Sequence, residues 1–491
     1  MRQHFIRLGK QTAVYGLGAV AAQLLGIITL PIYARVFAPS EYGVIEVLTV
    51  GLSVLAIVVD FGLNSAAQRS YFDYTEDNFE ERRVVLSTSI GSSMSIALLL
   101  AAGVAAASDP IAAWLFGSDR YGTAVLLVAA CVPAGTLASL TQEVMRLRFQ
   151  PWRYLTVSLI AGGLGTTLAL TFVLAFGWGV NGVFAGTLAG SVAAAGYALS
   201  VAHPYIGRRI SLAELRVMLA FGLPLIPVAI AMWMLQFIDR ILLTKLGSLD
   251  DVGQYAVANR LSFAMLLFVS AFSIAYAPFM LSLHADDAET ERVVRARLMT
   301  YLTAGLVVLA IVFSVFAREI IAIIAPGFDR SYQAVALVCA GTAALGFCQI
   351  PMAGISISRR TKLFAYYSTI AAVVNLGLNV LLIPAWGQVG AAAATAAGYL
   401  LLALLYYRGA QRVAPTPYAT SKLIALAGLG AALMPIGLIG DDPLWLALLV
   451  KLGALVVLAI GLRIIGVIGP EEIGELRALI GRARNVRAVS A

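Results

Sequence analysis

An all-α polytopic membrane fold is predicted by three features of this 491-residue chain. Hydrophobic residues make up 60% of it and charged residues 12%, with a mean hydropathy of +0.89; soluble domains carry roughly a quarter charged residues. Runs of about 20 mostly apolar residues recur along the sequence, the length a helix needs to cross a bilayer while satisfying its own backbone. The second half also repeats the first. At an offset of 210, Arg35 falls on Lys245, Gly43 on Gly253, Glu81-Arg82 on Glu291-Arg292 and Asp119-Arg120 on Asp329-Arg330; at 208, Trp178, Gly179 and Gly182 fall on Trp386, Gly387 and Gly390. Fixed-offset similarity between whole bundles is how many transporters are built, with the substrate path at the seam between halves.

About fourteen spans are placed, near 11–34, 44–68, 84–107, 122–142, 154–176, 181–202, 218–245, 252–280, 298–317, 332–357, 363–383, 389–407, 421–440 and 443–467. The first six form an N-terminal lobe (1–217) and the next six a C-terminal lobe (218–420), facing each other across a central cavity. Two further helices (421–469) have no repeat partner, and 470–491 is a basic cytoplasmic tail whose Ile473, Leu476, Leu479 and Ile480 sit at helical spacing, as on an amphipathic surface helix. Ile210 to Arg216, with a capping pattern of Ser211 and Glu214, is read as a second surface helix. The apolar run after Arg2, Arg7 and Lys10 is too long for a signal-peptide core and has no small-residue cleavage site, so it is expected to remain as the first span.

Orientation follows from the connections. Of the 34 Lys and Arg residues, 26 lie on the N-terminal side of the predicted spans, which is expected to place both termini in the cytoplasm. The net charge of +8 is thus a matter of topology, and no nucleic-acid partner is expected. Cys131, Cys339 and Cys348 lie in apolar segments without CxxC spacing and read as small buried side chains. No GxxxxGK[ST] loop or HExxH motif occurs, so nucleotide-driven or zinc chemistry is not expected, nor any catalytic residue or metal site.

Charges within spans carry the functional information, because each costs about 2.5 to 3.5 kcal/mol on insertion scales. Asp60 lies in span two, Asp239 and Arg240 in span seven, Arg260 in span eight. Arg240 and Arg260 are expected at matching depth, with Asp239 available to pair with Arg260 and one cation left over. A structural ion pair between antiparallel helices and a substrate contact are equally good readings. Surplus arginine facing a wet cavity suits phosphate or carboxylate oxygens. Gln236 shares a face with Arg240, and Asn375 with Asn379, the asparagines being expected to bond between helices. Lys451 is expected to snorkel. Pro224 and Pro227 interrupt the ladder at one end of span seven and are the expected hinge.

FAPSEYG (37–43), Asp60-Phe61-Gly62-Leu63 leading to Arg69, FGLPLIP (221–227), Asp239-Arg240, the run from Val252 to Arg260, and Trp386-Gly387 to Gly390 together resemble the polysaccharide-biosynthesis flippases. These form the Wzx-like branch of the superfamily that includes MATE drug exporters and lipid II flippases, and the similarity covers about residues 8 to 467. It implies a flippase, not an enzyme, passing undecaprenyl-pyrophosphate-linked oligosaccharides to the outer leaflet by alternating access, for O-antigen, capsule or exopolysaccharide. On that reading Arg260, Arg240, Asp239, Arg69, Gln23 and Gln236 bind substrate, and Asp60 or Asp239 senses a coupling cation. No cofactor is implied beyond an H+ or Na+ gradient or the membrane potential. The implied partners are the lipid-linked cargo, membrane lipids and glycan polymerase or chain-length machinery, around a monomer. A cation-coupled multidrug exporter, a lipid II flippase and a membrane glycosyltransferase or polymerase are the competing readings; the last would be expected to have a large outer loop or acidic cluster, and neither is visible.

Overall fold

The computed structural model describes residues 24–467 apart from 76, 359, 361, 441 and 442. Its elements are helices: α1 (Leu24–Val36), α2 (Pro39–Asp60), α3 (Leu63–Asp73), α4 (Phe79–Ala106), α5 (Ser108–Phe116), α6 (Gly122–Leu147), α7 (Pro151–Leu159), α8 (Gly165–Leu174), α9 (Gly179–Ala202), α10 (Leu212–Gly222), α11 (Ile226–Leu246), α12 (Leu249–Asp286), α13 (Ala288–Val315), α14 (Ala317–Ile324), α15 (Tyr332–Phe347), α16 (Gln349–Ile357), α17 (Lys362–Val413), α18 (Thr420–Leu433) and α19 (Leu444–Ile465). Among the described residues, twelve helical segments are long and apolar enough to cross a membrane. This differs from the expected fourteen for two visible reasons. Only Leu24–Val36 of the first span is described. The eleventh and twelfth expected spans form one element, α17, broken at Gly387 (φ 52°, ψ −129°). Gly179, which the 208-residue offset pairs with Gly387, also has a positive φ, of 53°, so both glycines supply a backbone that side chains disfavour. The C-terminal tail lies outside the described residues.

Helices α4, α6, α8 and α9 pack together, as do α11, α13, α15 and α17, and the two groups meet chiefly where α2 crosses α12. In α8 and α9 the approach is backbone to backbone: a Cβ on Gly186 would fall 2.2 Å from Ala169 N, and one on Gly190 would fall 2.4 Å from Gly165 Cα. Small residues permit this approach between helices in lipid.

The α2–α12 crossing lies at the loop face that carries few basic residues, and it is reciprocal. A Cβ on Gly43 would lie 2.2 Å from Leu249 O, and one on Gly253 would lie 1.9 Å from Pro39 O; 39 + 210 = 249 and 43 + 210 = 253. Arg35 reaches Ile324 O at 3.5 Å and Ile323 O at 3.0 Å, while Lys245 donates to Trp114 O, and 114 + 210 = 324. Within each half, Arg120 pairs with Glu41 at 3.5 Å and Arg330 with Asp251 at 3.4 Å, again 210 apart. The register in the sequence is thus a pseudo-twofold relation between contacts, and the two halves are closed on each other at this face.

The segment joining the halves is clamped to the first one. Ser87 Oγ donates to Arg209 O (2.6 Å), Ser211 N to Thr88 Oγ1 (3.0 Å) and Tyr74 Oη to Glu214 Oε1 (2.6 Å). Ser211 caps α10 by accepting from Glu214 N at 3.3 Å, as its motif predicts. A 3-10 turn, Leu223–Leu225, containing Pro224 separates α10 from α11, and Pro227 occupies the first turn of α11. Proline lacks the N–H that a continuous ladder would need there.

Candidate functional site

Just inside the reciprocal crossing lies a buried charge network that joins the halves. Glu46 of α2 is 7% exposed, one turn along from Gly43. Its carboxylate takes Arg260 Nη2 at 2.9 Å and lies 3.8 Å from Arg240 Nε. Arg240 is also held by its own neighbour, Asp239, at 3.3 Å, and donates from Nη1 to Gln236 O at 2.8 Å. Four charges therefore balance, two acids against two arginines, as an apolar surrounding requires. The expected surplus cation and the expected Asp239–Arg260 pair are both corrected: Glu46, two residues into its predicted span, supplies the missing anion.

The two arginines differ in what they face. Arg240 is enclosed. The Arg260 side chain keeps 24% of its surface and forms one wall of a cavity of about 290 Å³, the remainder coming from α1, α2, α8, α9 and the π-helical turn Ile160–Leu164 between α7 and α8. Thr29, Tyr33, Thr49, Thr166 and Thr187 line it with hydroxyls. Single π turns frequently mark functional positions. Gly26 leaves room for the guanidinium, since a Cβ there would fall 2.5 Å from Arg260 Nη1 and push the arginine tip aside.

A second polar cluster lies behind Asp239, which is 1% exposed. Its Oδ2 accepts from Tyr255 Oη (2.5 Å) and Thr395 Oγ1 (3.1 Å). Gly398, one turn from Thr395, is packed against both Asn375 and Leu235, so one further turn along each helix brings Asn379, Thr395 and Asp239 to the same level. Asn375 and Asn379 are fully buried. Asn379 donates to Asn375 O at 2.9 Å, within its own helix, which corrects the expected bond between helices. The Asn375 side-chain atoms and Asn379 Oδ1 have no hydrogen-bond partner, an expensive arrangement for buried amides unless something else is to be bound.

The other predicted residues are elsewhere. Asp60 accepts from Asn64 N at 3.2 Å and lines a separate cavity of about 270 Å³ with Ser93, Thr136, Ser139 and Ser191; fourteen residues along α2 from Glu46, it is about 21 Å away. Arg69 stacks over Phe221 at 4.7 Å, near the α10–α11 turn. The Gln236 side chain is exposed, and Gln23 lies outside the described residues. Lys451 does not snorkel: it is 0% exposed and paired with Glu319 of α14, fixing α19 to the bundle. Cys131, Cys339 and Cys348 are buried free thiols.

Two pseudo-symmetric bundles, with twelve helical segments long and apolar enough to cross a bilayer among the described residues, define a multi-pass membrane protein. The fold is shared with a lipid II flippase MurJ in an inward closed conformation (TM-score 0.71, 15% identity, 92% of this chain and 99% of that one) and with an inward-facing multidrug resistance MATE family transporter (0.63, 14%, 83% and 96%). The profile of the family described as Polysaccharide biosynthesis protein matches residues 8–284, and the chain belongs to that family. It is similar to the succinoglycan biosynthesis transport protein ExoT of Rhizobium meliloti (strain 1021), 23% identical over 237 residues, 48% of this chain. That match spans about half, 46%, of the length of the curated relative.

Proposed function

We propose that the protein is a flippase for undecaprenyl-pyrophosphate-linked oligosaccharide repeat units, moving them from the cytoplasmic to the outer leaflet of a bacterial inner membrane for an exported polysaccharide. The observation that carries this reading is Arg260, a guanidinium at the seam of the two halves with part of its surface in a hydroxyl-lined cavity. Guanidinium matches pyrophosphate oxygens bidentately, and hydroxyls suit a sugar. A cargo of this kind requires such a path: each unpartnered hydroxyl costs on the order of 4 to 8 kcal/mol in hydrocarbon. The cavity is at the small end for ligand sites, fitting a headgroup fragment while the polyprenyl chain remains in lipid.

On this reading the face with few basic residues is the outer face, both termini are cytoplasmic, and the closed α2–α12 crossing is a shut outer gate between an N-terminal lobe (1–217) and a C-terminal lobe (218–420). Asp239, with Thr395, Asn375 and Asn379, holds a coupling monovalent cation: one carboxylate and several unfilled amide and hydroxyl oxygens are the donor set a hard cation takes. Outward movement of anionic cargo is further assisted by an inside-negative potential, by about 2.3 kcal/mol per charge per 100 mV.

The test is translocation of a fluorescent lipid-linked oligosaccharide in proteoliposomes. Arg260→Ala is expected to lower the rate by at least about tenfold, the scale of losing one charge-assisted contact. Arg260→Ala and Arg240→Ala proteins that both translocate at the wild-type rate would end this assignment.

A further inference from the structure

Glu46 is an anion supplied by the first half of the chain to an arginine of the second. It holds Arg260 at 2.9 Å and approaches Arg240 at 3.8 Å, one helical turn inside the Gly43–Leu249 and Gly253–Pro39 contacts that shut the seam. Nothing in the repeat demands it: its counterpart is Ala256 and that of Arg260 is Val50. The charges are therefore an addition to a symmetric gate, placed where opening must pull them apart. Arg260 and Glu46 both line the cavity, beside Thr29, Thr49 and Tyr42, so a ligand reaches the guanidinium without first dismantling the crossing.

We infer that Glu46 holds, in the closed state, the place that the cargo's anionic group takes on Arg260, so that anion binding and release of the outer seam are one event. This rests on the reading of the cargo as a pyrophosphate lipid. While Glu46 is bonded to Arg260 the halves are tied; a pyrophosphate oxygen accepting from Nη2 in its place frees α2 from α12. Glu46 itself lines the hydroxyl-bearing cavity, so its displaced carboxylate has polar partners there instead of being left buried and unpaired. Its longer 3.8 Å approach to Arg240 is given up as the seam opens, and Arg240 keeps Asp239. An uncharged lipid sugar has no group to exchange and leaves the gate shut. The device thus makes transport conditional on the anion, and Glu46 is a gating and specificity residue.

The test uses the full chain in nanodiscs with spin labels at Ser40 and Leu246, both exposed on the outer face, and farnesyl pyrophosphate as probe with farnesol as uncharged control. In the wild type the pyrophosphate, and not farnesol, is expected to lengthen the label separation. Glu46→Gln is expected to show the longer separation without ligand and to bind the pyrophosphate about 5-fold or more tighter, the low end of coupling between linked sites. Glu46→Asp, which keeps the charge but shortens the reach, is expected to lie between the two and serves if Glu46→Gln does not fold. Pyrophosphate bound with the same affinity by wild type and both variants, at unchanged label separation, overturns the displacement and leaves the cargo reading standing. Failure of all three proteins to bind it overturns the cargo reading, and the displacement with it.

Discussion

At the scale of single residues, the chain places charge in lipid only where it is balanced. Lys451 is the simplest case, a fully buried ammonium answered by Glu319. Replacing it with Ala strands that carboxylate, and the expected loss is on the order of 3 kcal/mol, read as a lower unfolding midpoint in detergent; Lys451→Met together with Glu319→Gln should recover most of it. Asp239 is different because its surroundings hold unfilled oxygens as well as partners. Sodium is expected to raise the thermal midpoint of the wild type over choline, by the mass action of a ligand bound only to the folded state. Asp239→Asn should abolish that increment while leaving the protein folded. Glu46 is legible as a carboxylate in the sequence but not as part of a site, since it lies only two residues inside its predicted span. One signal was available: the repeat puts Ala256 at the equivalent place, and an acid where its twin is apolar requires a reason.

Between elements, the contact that matters most is made of glycine. Gly43 and Gly253 let α2 and α12 touch through their backbones at the sparsely basic face, and a branched side chain there cannot fit without separating the helices. Gly43→Val and Gly253→Val are each expected to hold the seam apart, giving faster labelling of a cysteine at Tyr42 by an impermeant maleimide and transport reduced by about tenfold or more, since a transporter that cannot close cannot cycle. The α10–α11 junction is the opposite kind of element, a built-in break. Pro224 lies in a 3-10 turn and Pro227 in the first turn of α11, with Tyr74, Ser87 and Thr88 anchoring the segment before it. Tyr74→Phe removes a hydrogen bond to a carboxylate at the surface, worth about 1 kcal/mol. Glu214 pushes the Tyr74 phenol up to about 12 from the usual 10. The bond's contribution is thus fully present below pH 10 and is lost as pH rises through 10 toward 12, seen as a wild-type advantage in thermal midpoint that fades over that range.

For the whole molecule, the halves are two copies of one bundle with their equivalence visible at the gate, and the proposed cycle is a rocking of one against the other. Cells lacking the protein are expected to accumulate lipid-linked glycan on the cytoplasmic leaflet, detected by its resistance to an enzyme added from outside. An unchanged leaflet distribution would remove the flippase reading altogether. Dissipating the membrane potential in proteoliposomes is expected to slow export of the anionic cargo, because the field contributes about 2.3 kcal/mol per charge per 100 mV.

Several features could be read before any coordinates. Hydropathy, the bias of basic residues and the 210-residue register each depend on local composition or on self-comparison, and the lipid solvent makes them decisive because a spanning segment must satisfy its backbone alone. That is why the all-helical membrane architecture, the duplicated halves and the importance of Arg35, Gly43, Lys245 and Gly253 are written in the chain. What the tertiary structure decided is pairing. Which acid meets Arg260, whether Lys451 reaches water, and that Asp239 accepts from Thr395 instead of pairing with Arg260 depend on helices more than a hundred residues apart meeting at one depth and rotation. A one-dimensional pattern fixes the face of a helix but not the neighbour it turns toward.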